Sequence, residues 1–183
     1  TISPSMDILI SSNLERLIYH LSERNSGLVN DLMDELKNNG QYFIDDDIKN
    51  EIAKYFWGGY AKEDETLKTI KYIYDEYNYL IDTHTAVALD VYDKYVIATG
   101  DLRKSVIAST ASPFKFNKSV AGAVLGTDKI KEVNEFEISE ILSNNCSLKI
   151  PDGLLNLEKR EIRHETICEK DDMENILRKI LFA

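Results

Sequence analysis

Apolar positions along the chain fall into two rhythms, and the longer stretches follow the helical one. Leu14, Leu17, Ile18 and Leu21 share one side of a 3.6-residue repeat, with Ser12 or Asn13 ahead of them to cap the first turn. Leu28, Leu32, Met33 and Leu36 repeat the pattern up to Asn38-Asn39-Gly40, where Gly or Asn can take the left-handed conformation that closes a helix. The Asp45-Asp46-Asp47 cluster precedes Ile48, Ile52 and Phe56, and carboxylates suit a helix N-terminus because unpaired N–H groups and the positive dipole end meet there. It lacks the spacing and glycine of a calcium loop. After the Trp57-Gly58-Gly59-Tyr60 loop, a third acidic start at Asp64 leads into Leu67, Ile70, Tyr74 and Tyr77, a stripe assigned to packing.

The rhythm then shortens. Tyr79-Leu80-Ile81 is brief and apolar and runs into Asp82-Thr83-His84-Thr85, followed by the Ala/Val-rich residues 86–91. Ser105 to Ala108 repeats the arrangement: a β-type run delivers Ser109 and Thr110, Pro113 stops it, and Lys115 opens a helical pattern. Ser119 to Gly126 is rich in very small residues and allows close approach. Asp128 is placed to cap a helix through Ile130 and Val133 that resumes through Ile138, Ile141 and Leu142. A turn at Pro151-Asp152-Gly153, a short strand over 162–167 and a helix carrying Met173, Ile176, Leu177 and Ile180 complete the chain. The expected fold is α/β and helix-rich, a short, mostly parallel sheet flanked by helices, with 1–183 as a single compact unit.

Charge changes the picture by exclusion. With 22 Lys plus Arg against 32 Asp plus Glu, the formal charge of −10 disfavours nucleic acid and anionic membranes as partners. No run reaches the ~18 apolar residues of a membrane span, and a cytoplasmic location is the default expectation. Cys146 and Cys168 form no ligand spacing and are expected to be reduced, and His20, His84 and His164 are not spaced as zinc ligands, so no metal is expected.

Candidate chemistry therefore gathers at the two apolar-to-polar junctions. Ser109 and Thr110 can each form a well-placed hydrogen bond without bringing in a charge, and Lys115 adds a positive point charge suited to phosphate or carboxylate. Asp82, His84 and Thr85 can either shape a ligand crevice with free backbone N–H groups or simply cap and begin a helix. Neither a nucleotide loop nor a Ser-His-Asp order is present. From chemistry alone the site is one for a small anionic ligand.

Three stretches together resemble one family. Ser3-Pro4-Ser5-Met6-Asp7-Ile8 with Ser11 to Arg16, Leu80-Ile81-Asp82-Thr83-His84-Thr85-Ala86-Val87-Ala88, and Ser109-Thr110-Ala111-Ser112-Pro113-Phe114-Lys115-Phe116 occur in the order and context of threonine synthases of the bacterial and fungal branch. The resemblance spans nearly the whole chain. It implies part of the large domain of a fold-type II, tryptophan-synthase-β-like enzyme that uses pyridoxal 5′-phosphate to convert O-phospho-L-homoserine and water into L-threonine and phosphate.

In such an enzyme Thr110 would hydrogen-bond the pyridine nitrogen and Ser109 would stand beside it as a second cofactor contact. Lys115, Asp82, His84, Thr85, Ser3, Ser5 and Asp7 become substrate-side candidates. The family's Schiff-base lysine and glycine-rich phosphate loop lie upstream of these motifs, and Gly58-Gly59 is no such cradle. The chain thus reads as a C-terminal portion without catalytic residues of its own, inactive alone, and prone to self-associate through surface that upstream sequence would cover. Ser112 stands where several relatives carry histidine, so no role transfers to it. The reading from another class is a non-catalytic module that binds a phosphorylated metabolite or a partner protein.

Overall fold

The computed structural model describes residues 1–163 and 165–182. Eight α-helices are present among them: α1 (Ser12–Leu21), α2 (Ser26–Asn39), α3 (Asp46–Tyr55), α4 (Glu63–Tyr77), α5 (Thr83–Thr99), α6 (Asn117–Leu125), α7 (Glu135–Cys146) and α8 (Met173–Leu181). Their ends follow local chemistry. Ser11, one position earlier than the expected caps, accepts the Leu14 N–H at 3.3 Å, and Asp45 accepts that of Ile48 at 2.8 Å. Glu65 reaches back to the Lys62 N–H at 2.7 Å. Gly40 (φ 73°) and Gly100 (φ 68°) close α2 and α5 in the left-handed conformation. Helix α5 therefore runs on to Thr99, beyond the Ala/Val-rich residues 86–91.

Two apolar clusters hold the helices. Ile18, Val29, Leu32 and Ile48 join α1, α2 and α3. Farther along, α4 packs on α5 and α6, and α6 packs on α7. Ile70, Ala86, Val120, Ala121, Ile138 and Leu142 on these helices are fully buried. Each large aliphatic side chain so buried contributes about 1.5–3 kcal/mol.

The expected sheet is absent among the described residues, which is the main correction to the predicted fold. Both candidate strands are extended, but a strand is completed only by a partner. Leu80 and Ile81 are buried without ladder bonds, and residues 104–111 make no backbone hydrogen bond, with Val106 98% exposed. Residues 162, 163 and 165–167 form no strand either, while His164 lies outside the described residues. The helix expected from Asp128 is also replaced: Thr127–Lys129 forms one 3₁₀ turn, and Asn134 caps α7 by accepting from Phe136 (3.0 Å) and Glu137 (2.9 Å). Asparagine accepts two first-turn N–H groups there, so the helix starts six residues late.

The chain divides into two compact units, Thr1–Ile150 and Pro151–Ala183. The second opens on the predicted turn, with Leu154 N–H bonded to Pro151 C=O at 2.8 Å, and Arg160 donates to the Asp152 and Leu155 carbonyls. Met173, Leu177 and Ile180 of α8 are exposed. No helix among the described residues is long and apolar enough to cross a membrane.

Candidate functional site

The site is built on the N-terminus of α5. Asp82, completely buried, precedes the helix in extended conformation, and its Oδ1 accepts the His84 N–H at 2.9 Å and that of Thr85 at 3.4 Å. The capping role and the ligand-site role read from the sequence thus fall on the same carboxylate. Its other oxygen accepts a short hydrogen bond from the Thr85 hydroxyl, and His84 Nδ1 lies 3.3 Å from Oδ1. The His84 Nε2 is buried without a hydrogen-bond partner among the described residues.

The second junction reaches this cluster from 24 residues away: Ser109 Oγ lies 3.1 Å from Thr85 Oγ1. Thr110, next in the chain, is exposed and its hydroxyl makes no hydrogen bond among the described residues. Ser112 accepts the Phe114 N–H at 3.3 Å and caps the 3₁₀ turn Pro113–Phe116, which gives this residue a structural task. The turn buries Phe114 and brings the Phe116 ring to 4.6 Å from the His84 ring. Lys115 is exposed, with Nζ 5.7 Å from the center of the Phe116 ring.

The opening segment joins less completely. Thr1, Ile2 and Pro4 share a cavity of about 350 Å³ with Lys115, Phe116 and Asn117. Ser3 is buried with an unpartnered Oγ. Ser5 is exposed and makes no side-chain hydrogen bond among the described residues, and Asp7 accepts from the Thr1 hydroxyl at 2.8 Å. The structure therefore brings Asp82, His84, Thr85 and Ser109 into direct contact, links Lys115 through Phe116, and leaves Ser5 and Asp7 in the adjoining loop.

Two features escaped the sequence reading. Asn117, buried, donates from one side-chain amide to the Glu135 carbonyl and to Ser139 Oγ at 2.7 Å, tying α6 to α7; a lone Asn after an aromatic pair carries no sequence signal for this. A larger cavity of about 860 Å³ is lined by Trp57, Val91, Tyr92, Tyr95, Arg103 and residues 105–108, among others. It includes none of the predicted site residues. Gly58-Gly59 beside it is packing rather than a phosphate cradle: a Cβ on Gly59 would come within 2.8 Å of Val91 and 2.9 Å of Trp57.

No family model matches the chain. Among curated relatives it is 36% identical to the threonine synthase of Saccharomyces cerevisiae, over 90% of this chain and 36% of that protein. To human threonine synthase-like 1 it is 32% identical, over 93% of this chain and 23% of that protein. Among solved structures it aligns with yeast threonine synthase at a TM-score of 0.72 and 31% identity, covering 99% of this chain and 36% of that one. The pyridoxal-phosphate-bound threonine synthase of Brucella melitensis aligns at 0.69 and 29%, covering 98% and 34%. The helical scaffold is thus one found within fold-type II enzymes. The chain is homologous to the threonine synthases along nearly its whole length, and spans about a quarter to a third of the length of these relatives.

Proposed function

We propose that the chain is the C-terminal portion of a threonine synthase, a pyridoxal-phosphate-dependent lyase that acts in the cytoplasm on O-phospho-L-homoserine and water to give L-threonine and phosphate. The observation that carries this reading is the convergence of two of the three family-like motifs at one point, where Asp82, His84 and Thr85 meet Ser109. The residues fit the cofactor's ring edge. Thr110 offers an exposed hydroxyl that no carboxylate or other group among the described residues engages in a hydrogen bond.

When bound, the cofactor supplies an electron sink for the proton shifts, phosphate elimination and water addition. Thr110 gives the pyridine nitrogen a neutral partner, which limits ring protonation and so tempers electron withdrawal. Ser109 holds that stretch against α5. Lys115 presents a point charge for an anionic group, and the Phe116 ring beneath it keeps the ammonium oriented. The buried Nε2 of His84 and the free hydroxyl of Ser3 offer polar contacts on the substrate side, with Ser5 and Asp7 in the flanking loop. The reading assigns the Schiff-base lysine to sequence outside these 183 residues, so the isolated chain has no activity of its own.

The test is Thr110→Val in the intact enzyme. The variant retains the cofactor, and turnover falls by about ten- to a hundredfold, the worth of one hydrogen bond in a dry site. Unchanged turnover would remove Thr110 from the ring.

A further inference from the structure

Ser109 and Thr110 lie in a segment with little to hold it. Residues 104–111 make no backbone hydrogen bond among the described residues, and the contact from Ser109 Oγ to Thr85 Oγ1 is their one hydrogen bond to another element. Its direction is settled by proton count. A hydroxyl carries a single proton, and the Thr85 proton goes to the Asp82 carboxylate, which can only accept. Ser109 is therefore the donor to Thr85 Oγ1. Asp82 itself is immobile, being fully buried and fastened to two N–H groups of a 17-residue helix.

We propose that Asp82 and Thr85 are positioning residues for Thr110: the buried carboxylate orients the Thr85 hydroxyl, which anchors Ser109 and so places the neighboring hydroxyl. The proposal rests on the reading that Thr110 meets the cofactor ring. It gives Asp82 a task beyond capping, because a cap needs only the oxygen facing the helix N–H groups, whereas the second oxygen is spent on Thr85. A contact group displaced by about 1 Å loses most of its effect, so a chain of fixed hydrogen bonds is the physical requirement of such a site.

The test uses the intact enzyme with its cofactor bound and reads kcat against KM. Thr85→Val keeps side-chain volume and the Asp82 cap but removes the relay; kcat falls about tenfold with KM little changed. Thr85→Ser restores the parent value. Ser109→Ala, at an exposed position and with the Thr85–Asp82 bond intact, reproduces the Thr85→Val effect without endangering the fold. Adding Thr85→Val to Thr110→Val lowers kcat no further than Thr110→Val alone, because the relay acts only through that hydroxyl. Parental kcat in both Thr85→Val and Ser109→Ala, or losses that simply add in the double variant, overturns the proposal. A loss in Thr85→Val and Ser109→Ala with parental kcat in Thr110→Val overturns the ring contact, and a loss in Thr110→Val alone keeps the ring contact and overturns the tether.

Discussion

Replacing Gly59 by alanine adds one methyl group at a place where the structure has no room for it. The new Cβ would stand 2.8 Å from Val91 Cγ1, 2.9 Å from Trp57 Cζ3 and 3.4 Å from Val91 Cγ2. Carbon atoms rest about 3.5–4.0 Å apart, so the first contact is short by about 0.7–1.2 Å. Val91 cannot swing away cheaply, because a β-branched side chain in a helix has one strongly preferred rotamer. Nor can the loop lift freely: Lys94 of α5 donates to the Tyr60 carbonyl at 2.9 Å, and Trp57 stacks edgewise on Tyr95 at 5.6 Å. Overpacking of this kind costs about 1–3 kcal/mol. At a urea slope of about 2 kcal/mol/M, the unfolding midpoint drops by roughly 0.5–1.5 M. Trp57 is the only tryptophan, so its emission follows the affected contact directly. Gly122→Ala is the control of opposite sign. A Cβ there meets Ile130 Cδ1 at 3.4 Å and Thr127 Cγ2 at 3.5 Å, ordinary contact, and the helix gains about 0.5–1 kcal/mol from losing its glycine. A Gly59→Ala midpoint equal to or above the parent would refute the argument, since the loop would then stand clear of α5.

The Asp101 carboxylate is held well below the usual carboxylate range by the Arg103 guanidinium, and further by the Tyr95 hydroxyl at 2.7 Å. A lowered folded-state value means stability that is complete above the unfolded value near pH 4 and lost as pH falls below it. Asp101→Asn should flatten the acid limb of a stability profile below about pH 5 and leave its slope near neutrality unchanged, as measured by urea midpoints across pH. Large apolar side chains of the first unit stand exposed, including Tyr55, Trp57, Leu102 and Val106. The isolated chain should therefore sediment as a concentration-dependent mixture of species. A single monomeric boundary at all concentrations would count against the proposal that further sequence covers this face.

What the sequence disclosed was set by how local each determinant is. Asp45, Gly40 and Asp82 act within one helical turn, so their capping roles could be read from neighbors alone. The link from Ser109 to Thr85 could not, because nothing in the spacing of two motifs states that their hydroxyls meet. The extended runs at 79–81 and 105–108 carried the composition of buried strands, but composition records what a segment is suited to pair with and not whether the partner is present. Asn117 shows the converse: a residue with no conspicuous neighborhood that becomes a tie between two helices once they are packed.

The two apolar clusters are also separated along the chain, one drawing on residues 18–48 and the other on residues 70–142. The first closes by short loops of modest entropy, which favors rapid formation. In the order of synthesis, at about 5–20 residues per second, the first cluster has all its members before Asp82 is made. By that timetable α5 is laid down beside structure already formed, and the hydroxyl of Ser109 arrives last at a docking point that is waiting for it.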